Sequence, residues 1–164
     1  GSAVLLGLRH ALVDTNILYF VEMDADLSHD PGEINKLLEA SLKADVVIGS
    51  RYRKESKIIN WPIRRLILSK IFNFFLNNLL GLKLTDYTNG FRLYSREAVK
   101  FLTSVELKEK GFIALSEIAF KLYKNDFTFI EVPTSFTDRK NGKSSAGIRE
   151  HWDAFYGAIR IRFS

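Results

Sequence analysis

Residues 17–33 read Ile17-Leu18-Tyr19-Phe20-Val21-Glu22-Met23-Asp24-Ala25-Asp26-Leu27-Ser28-His29-Asp30-Pro31-Gly32-Glu33. The apolar run at 17–21 has the make-up of a buried strand, and Pro31 suits the first turn of a helix. Between them, two aspartates stand one residue apart where the strand runs out. In an open α/β sheet that is the edge at which ligands bind. Carboxylates there can hold a hard divalent cation, and the cation a diphosphate. The same residues also fit an acidic turn that caps the following helix through Asp30 or Ser28.

Upstream, Leu5, Leu8 and Leu12 are spaced for one face of a helix over 3–12. Downstream, a helix is expected over 31–43 and a second short buried strand over 45–49. Helix, strand, helix, strand with short connections predicts an α/β domain built on a mostly parallel sheet with helical crossovers. A polar segment, 50–60, then leads into a long helix over 62–80, with Gly81 placed to stop it. Further elements are expected as a strand at 90–94, helices at 96–103 and 113–124, and a strand at 127–132. A basic loop containing Gly142 and Gly147 covers 138–147, and an amphipathic helix covers 148–163. The chain opens on a helix where nucleotide-binding α/β domains usually open on a strand, so the sheet is expected to lack its opening strands.

A chain of 164 residues is enough for one domain with a real core, and 46% hydrophobic against 26% charged residues argues against global disorder. The absence of cysteine excludes disulfides, a thiolate metal site and a cysteine nucleophile. A net charge of +5 suits an anionic partner: a phosphorylated substrate, an acidic membrane surface or nucleic acid. Asp24, Asp26 and Asp30 put negative charge at the expected ligand edge and weigh against nucleic acid. The most apolar stretch, 66–82, is interrupted by Ser69, Lys70, Asn73, Asn77 and Asn78 and is not expected to cross a bilayer.

Arg51 follows the strand at 45–49 and so falls at the same edge as the aspartates. Arg64 and Arg65 occupy the first turn of the long helix, where cations oppose the helix dipole unless an anion binds. Arg65, Ser69, Asn73 and Asn77 recur every four residues; Asn73 and Asn77 are read as a solvated face. Asp86 and Arg92 flank the turn Asn89-Gly90, with Asp86 expected to orient a basic residue or sugar hydroxyls, or to stabilise the turn. Glu117 lies on the helix at 113–124. His10, His29 and His151 show no metal-ligand spacing and are read as structural. On the last helix, Ile148, Trp152, Phe155 and Ile159 share a face, with arginines among the polar positions, a pattern compatible with an anionic lipid surface.

In order along the chain, MDADLSHDP at 23–31, GSRY at 49–52, NWPIRR at 60–65, TDYTNGFRLY at 85–94, EVPTSFTDR at 131–139 and GKS at 142–144 resemble the dolichol-phosphate mannose synthase group of the family 2 glycosyltransferases. The resemblance implies a GT-A-type, Rossmann-like fold and inverting transfer of mannose from GDP-mannose to a dolichyl or other polyprenyl phosphate. It implies Mg²⁺ or Mn²⁺ held by Asp24 and Asp26, with Ser28 as a further ligand. Arg51, Arg65 and Ser69 would grip the lipid's phosphate, and Asp86, Arg92 and Glu117 would face the sugar or tune a neighbouring arginine. Arg139 and Lys143 would close a loop over the diphosphate. The implied setting is the cytoplasmic face of a membrane, with the enzyme peripheral to it. The resemblance also implies that the family's segment that holds the nucleotide base is missing from this sequence. The alternatives are a UDP-glucose:undecaprenyl-phosphate glucosyltransferase, or a non-catalytic basic module on membrane or nucleic acid.

Overall fold

The computed structural model describes residues 2–138 and 148–164. Helix α1 (Ser2–Leu12) precedes strand β1 (Tyr19–Glu22), and a single 3-10 turn (Pro31–Glu33) leads into α2 (Ile34–Ala40). Then follow β2 (Val46–Ser50), β3 (Lys57–Ile59), α3 (Ile63–Leu80), β4 (Arg92–Ser95), α4 (Arg96–Ser104), α5 (Ala114–Tyr123), β5 (Phe129–Pro133), β6 (Ser135–Thr137) and α6 (Ile148–Arg162).

The main sheet has the order β1-β4-β2-β5. β2 and β5 pair in parallel, while β4 is antiparallel to both β1 and β2. Strands β1, β2 and β5 therefore share one direction, as the alternation of elements predicts, and β4 is wedged between β1 and β2 in the opposite sense. The reason is where β4 begins. The segment 85–91 arrives at the end where β1 and β2 finish, so β4 must run back. This wedge brings the chain just after β1, just after β2 and just before β4 to one edge.

β2 is the centre of the sheet, buried along its length, as a strand covered on both faces should be. Its side chains alternate: Val46 and Ile48 join the larger core with Leu76, Tyr94, Leu102 and Ile118, whereas Val47 packs with Leu37, Phe91 and Leu93 under α2. Gly49 marks a close crossing, since a Cβ there would lie 2.7 Å from the Phe91 ring.

Three local expectations change. The polar segment 50–60 contains β3, which pairs in parallel with β6 in a second, two-stranded sheet. On α3 the polar stripe turns inward: Asn73 is buried, accepts the Tyr87 N–H at 2.7 Å and donates to the Ser69 carbonyl, so it is not a solvated face. Ile63, Ile67, Ile71 and Phe74 are exposed instead. On α6 the core-facing stripe is Ala154, Ala158 and Ile161, leaving Trp152 and Tyr156 outside while Phe155 stacks on Phe75. α3 ends as expected at Gly81, in the left-handed conformation with φ 79°.

Candidate active site at the carboxyl edge of the sheet

Asp24 lies two residues beyond β1, Arg51 one beyond β2, and Gly90 just before β4. A Cβ on Gly90 would meet Asp24 Oδ1 at 3.3 Å, so the absent side chain lets the carboxylate sit against the backbone there. From this junction a cavity of about 910 Å³ extends over α3 towards α6. Asp24 lines it, as do the carboxylates Glu109 and Asp153. Arg51, Arg64, Arg65 and Ser69 supply polar groups, and Trp61, Leu68, Phe72 and Phe136 supply apolar wall.

Arg51 is anchored before any ligand arrives. Its Nε donates to Asp86 Oδ2 at 2.7 Å and its Nη2 to Asp86 Oδ1 at 2.8 Å, while Nη2 also reaches Thr88 Oγ1. Nη1 takes part in none of these bonds. The guanidinium lies 5.2 Å from the Trp61 ring and 5.5 Å from the Phe136 ring, against faces that attract cations. Burial alone would push the Asp86 carboxyl up, but the Arg51 charge and its hydrogen bonds outweigh that and hold it below the ordinary value. The turn carrying Asp86 is fixed in its own right, because Glu131 accepts the backbone N–H groups of Thr85 and Asp86 at 2.9 Å. Burial pushes Glu131 above the usual carboxylate range.

Arg65 stacks on Trp61 at 4.1 Å and donates to Asp138 Oδ1 at 2.9 Å. Ser69 Oγ accepts from the Tyr52 hydroxyl at 2.6 Å, which fixes it one turn along α3 from Arg65. Arg51, Arg65 and Ser69 thus line one cavity together with Asp24. Arg139 and Lys143, with Lys140 and Ser144, lie outside the described residues.

The acidic turn divides its work. Asp30 caps the 3-10 turn, accepting the Gly32 N–H at 2.8 Å, and Asp26 Oδ1 accepts the Ser28 N–H across Leu27, whose φ is 63°. Capping therefore falls to Asp30, and the Asp24 carboxylate stays open to the cavity, its side chain 58% exposed. Among the described residues no three His, Cys, Asp or Glu groups converge on one point. The donors present nevertheless fit a hard cation. Asp24 is an accessible carboxylate, and the Ser28 hydroxyl is buried with no hydrogen-bond partner among the described residues. Oxygen ligands of this kind, few from protein and the rest from diphosphate and water, suit Mg²⁺ or Mn²⁺.

Two expected sugar-facing residues are placed elsewhere. Arg92 is wholly buried, and its donors are taken by the carbonyls of Tyr87, Asn89 and Leu115 at 2.6, 2.9 and 2.8 Å. Glu117 is also buried and accepts the N–H groups of Lys108 and Glu109, whose carboxylate in turn holds Arg160 of α6. Arg92 is thus engaged chiefly by backbone carbonyls, and Glu117 by backbone N–H groups and by Lys121, 3.8 Å away. Conversely, Trp61, Phe136 and Thr88 were not singled out by their sequence positions. For the first the sequence does carry a signal: Trp61 stands three and four positions before Arg64 and Arg65 in NWPIRR.

Residues 1–103 match the Glycosyl transferase family 2 model. The chain is 41% identical over 154 residues to a polyprenol monophosphomannose synthase of Mycolicibacterium smegmatis, covering 92% of this chain and 58% of that protein. It is 36% identical over 150 residues to an undecaprenyl-phosphate mannosyltransferase of Micrococcus luteus, covering 90% and 61%. It thus spans about three-fifths of the length of these relatives. Among solved structures, glucosyl-3-phosphoglycerate synthase of Mycobacterium tuberculosis in complex with UDP superposes with a TM-score of 0.61 at 14% identity, over 97% of this chain and 55% of that one. At that identity the match bears on the fold alone, which is GT-A-like.

Proposed function

The chain belongs to glycosyl transferase family 2, and on that footing we propose that it carries the metal- and acceptor-binding part of an enzyme that transfers mannose from GDP-mannose to a polyprenyl phosphate. One observation carries this reading: a single cavity joins an open carboxylate, Asp24, to a set of cationic and hydroxyl groups, Arg51, Arg65 and Ser69. The carboxylate suits a cation-bound diphosphate and the cationic groups a phosphate monoester.

In this reading, Asp24 and Asp26, with Ser28, hold Mg²⁺ or Mn²⁺ on the donor; the cation would neutralise the departing nucleoside diphosphate. Arg65 and Ser69 set the acceptor phosphate, and Arg51 presents its remaining Nη1 donors from a fixed position. Arg139 and Lys143, outside the described residues, would add cationic contacts to the diphosphate. A phosphate acceptor is already ionised near neutral pH, so no side chain has to take a proton before it attacks the anomeric carbon. Preorganised positive charge and in-line placement supply the catalysis, and the attack inverts that carbon.

The apolar wall, Trp61, Leu68 and Phe72, offers a path for the first isoprenoid units. Outside it, Ile67, Ile71 and Phe74 of α3 and Trp152 and Tyr156 of α6 are exposed. Exposed apolar and interfacial aromatic groups of this kind favour a peripheral position on a membrane surface. Among the described residues, no helix is long and apolar enough to cross one.

The test is transfer from radiolabelled GDP-mannose, or UDP-glucose in parallel, to undecaprenyl phosphate in vesicles, followed by solvent extraction. Lipid-extractable mannose supports the reading. Glucose transfer alone would assign the other donor, and no transfer with salt-sensitive RNA binding would favour a basic binding module.

A further inference from the structure

His29 is the unexplained group beside the acidic turn. It is 3% exposed, stacked on Phe91 at 5.1 Å and set edge-on to Phe136 at 5.1 Å. Its backbone bridges to Phe136, and the adjoining Ser28 carbonyl accepts the Thr137 N–H, so the segment is pinned to β6. Neither ring nitrogen has a hydrogen-bond partner among the described residues. Yet Nε2 points at the Asp24 carboxylate, 3.6 Å from Oδ2. An aromatic box of this kind would accept a phenyl ring without leaving a buried nitrogen unpaired. The imidazole is better explained by what Nε2 faces.

The geometry points to His29 as the positioning residue for Asp24: with its proton on Nε2, it closes the last few tenths of an ångström to Oδ2 and fixes the carboxylate for a divalent cation. Ligating carboxylates are commonly oriented by such outer hydrogen bonds, whose loss weakens metal binding. The inference rests on the metal-binding reading of Asp24 given above.

The experiment is titration of the whole chain with MnCl₂, read by the loss of the free Mn²⁺ electron-paramagnetic signal. The variants are His29→Phe, His29→Gln and Asp24→Asn, each also followed by thermal melting. His29→Phe should melt no lower than the parent, since it removes the buried Nδ1 that has no partner among the described residues, yet bind Mn²⁺ about tenfold or more weakly. His29→Gln, with an N–H near the place of Nε2, should recover most of that affinity. Unchanged Mn²⁺ affinity in His29→Phe overturns the positioning role. Loss that His29→Gln does not recover, with the variant folded, overturns it in favour of direct nitrogen ligation. Should His29→Phe fail to fold, the Gln variant decides alone: near-parent affinity supports the role and a loss overturns it. If the parent binds no better than Asp24→Asn, the metal reading itself fails, and the role of His29 with it.

Discussion

Arg51 and Asp86 form a two-point ion pair, Nε to Oδ2 at 2.7 Å and Nη2 to Oδ1 at 2.8 Å, with both side chains almost wholly out of solvent. The pair joins the end of β2 to the turn that precedes β4, and so sets one wall of the cavity. Removing one partner of a buried pair strands the other charge, at a cost of about 3–5 kcal/mol. Asp86→Ala is therefore expected to lower unfolding free energy by that order in urea. The double variant Arg51→Met/Asp86→Leu should be less destabilised than the sum of its parts, giving a coupling energy of the kind a double-mutant cycle resolves. Strict additivity would contradict the pairing.

The same pair predicts a pH dependence. The folded Asp86 carboxyl lies below its ordinary value of 3.8 despite burial, because Arg51 stabilises the anion. A group depressed on folding contributes its stability fully above the unfolded value and loses it as pH falls through the folded one. The gap in unfolding free energy between the parent and Asp86→Asn should be widest above about pH 4 and should narrow below it. A gap that stays constant down to about pH 2 would contradict this assignment.

Arg65 stacks on Trp61 and offers a planar fork to an anion. Arg65→Lys keeps the charge but loses the fork and the stacking. Charge-assisted hydrogen bonds are worth about 1.5–3 kcal/mol, so the acceptor-phosphate KM should rise roughly tenfold to a hundredfold, with donor KM little changed. Equal rises in both would place Arg65 on the donor instead.

Gly49 is set by the Phe91 ring, 2.7 Å from where a Cβ would be. Phe91 is fully buried with Leu37, Val47 and Leu93, so it has little room to yield. Gly49→Ala should destabilise by about 1–3 kcal/mol, and a melting curve matching the parent's would show that the ring can move.

On α3, Ile67→Ser and Ile71→Ser change exposed positions and should leave stability within about 0.5 kcal/mol. Co-sedimentation with vesicles containing anionic lipid should nevertheless fall. Unchanged sedimentation would remove this face from the membrane contact.

Much of this fold could be read in the sequence because it rests on local signals. Pro62 and Gly81 bracket α3, the apolar run before Asp24 becomes β1, and the fully apolar 46–48 becomes the central strand. The direction of β4 could not be read, since periodicity gives a strand's faces but not its sense. β3 and β6 are three residues each, too short to show alternation. The four-residue polar spacing on α3 was visible, but only the Tyr87 N–H waiting for Asn73 shows which side is the core.

The site divides in the same way. Asp24 and Arg51 come to one edge because strand ends do, which sequence order reveals. Arg92 and Glu117 look functional as isolated charges, yet most of their partners are backbone carbonyls and N–H groups, which no side-chain pattern displays. The setting of His29 is hidden in the sequence for a similar reason: it depends on Phe91, just before β4, and Phe136, on β6, arriving from far along the chain.

The most direct test of the account is calorimetric titration with GDP-mannose, with and without Mn²⁺, on the parent and Asp24→Asn. Donor binding should require the cation and be lost in the variant, whose fold by circular dichroism should be intact. Donor binding of equal strength in the parent and Asp24→Asn, or in the parent with and without Mn²⁺, would contradict it.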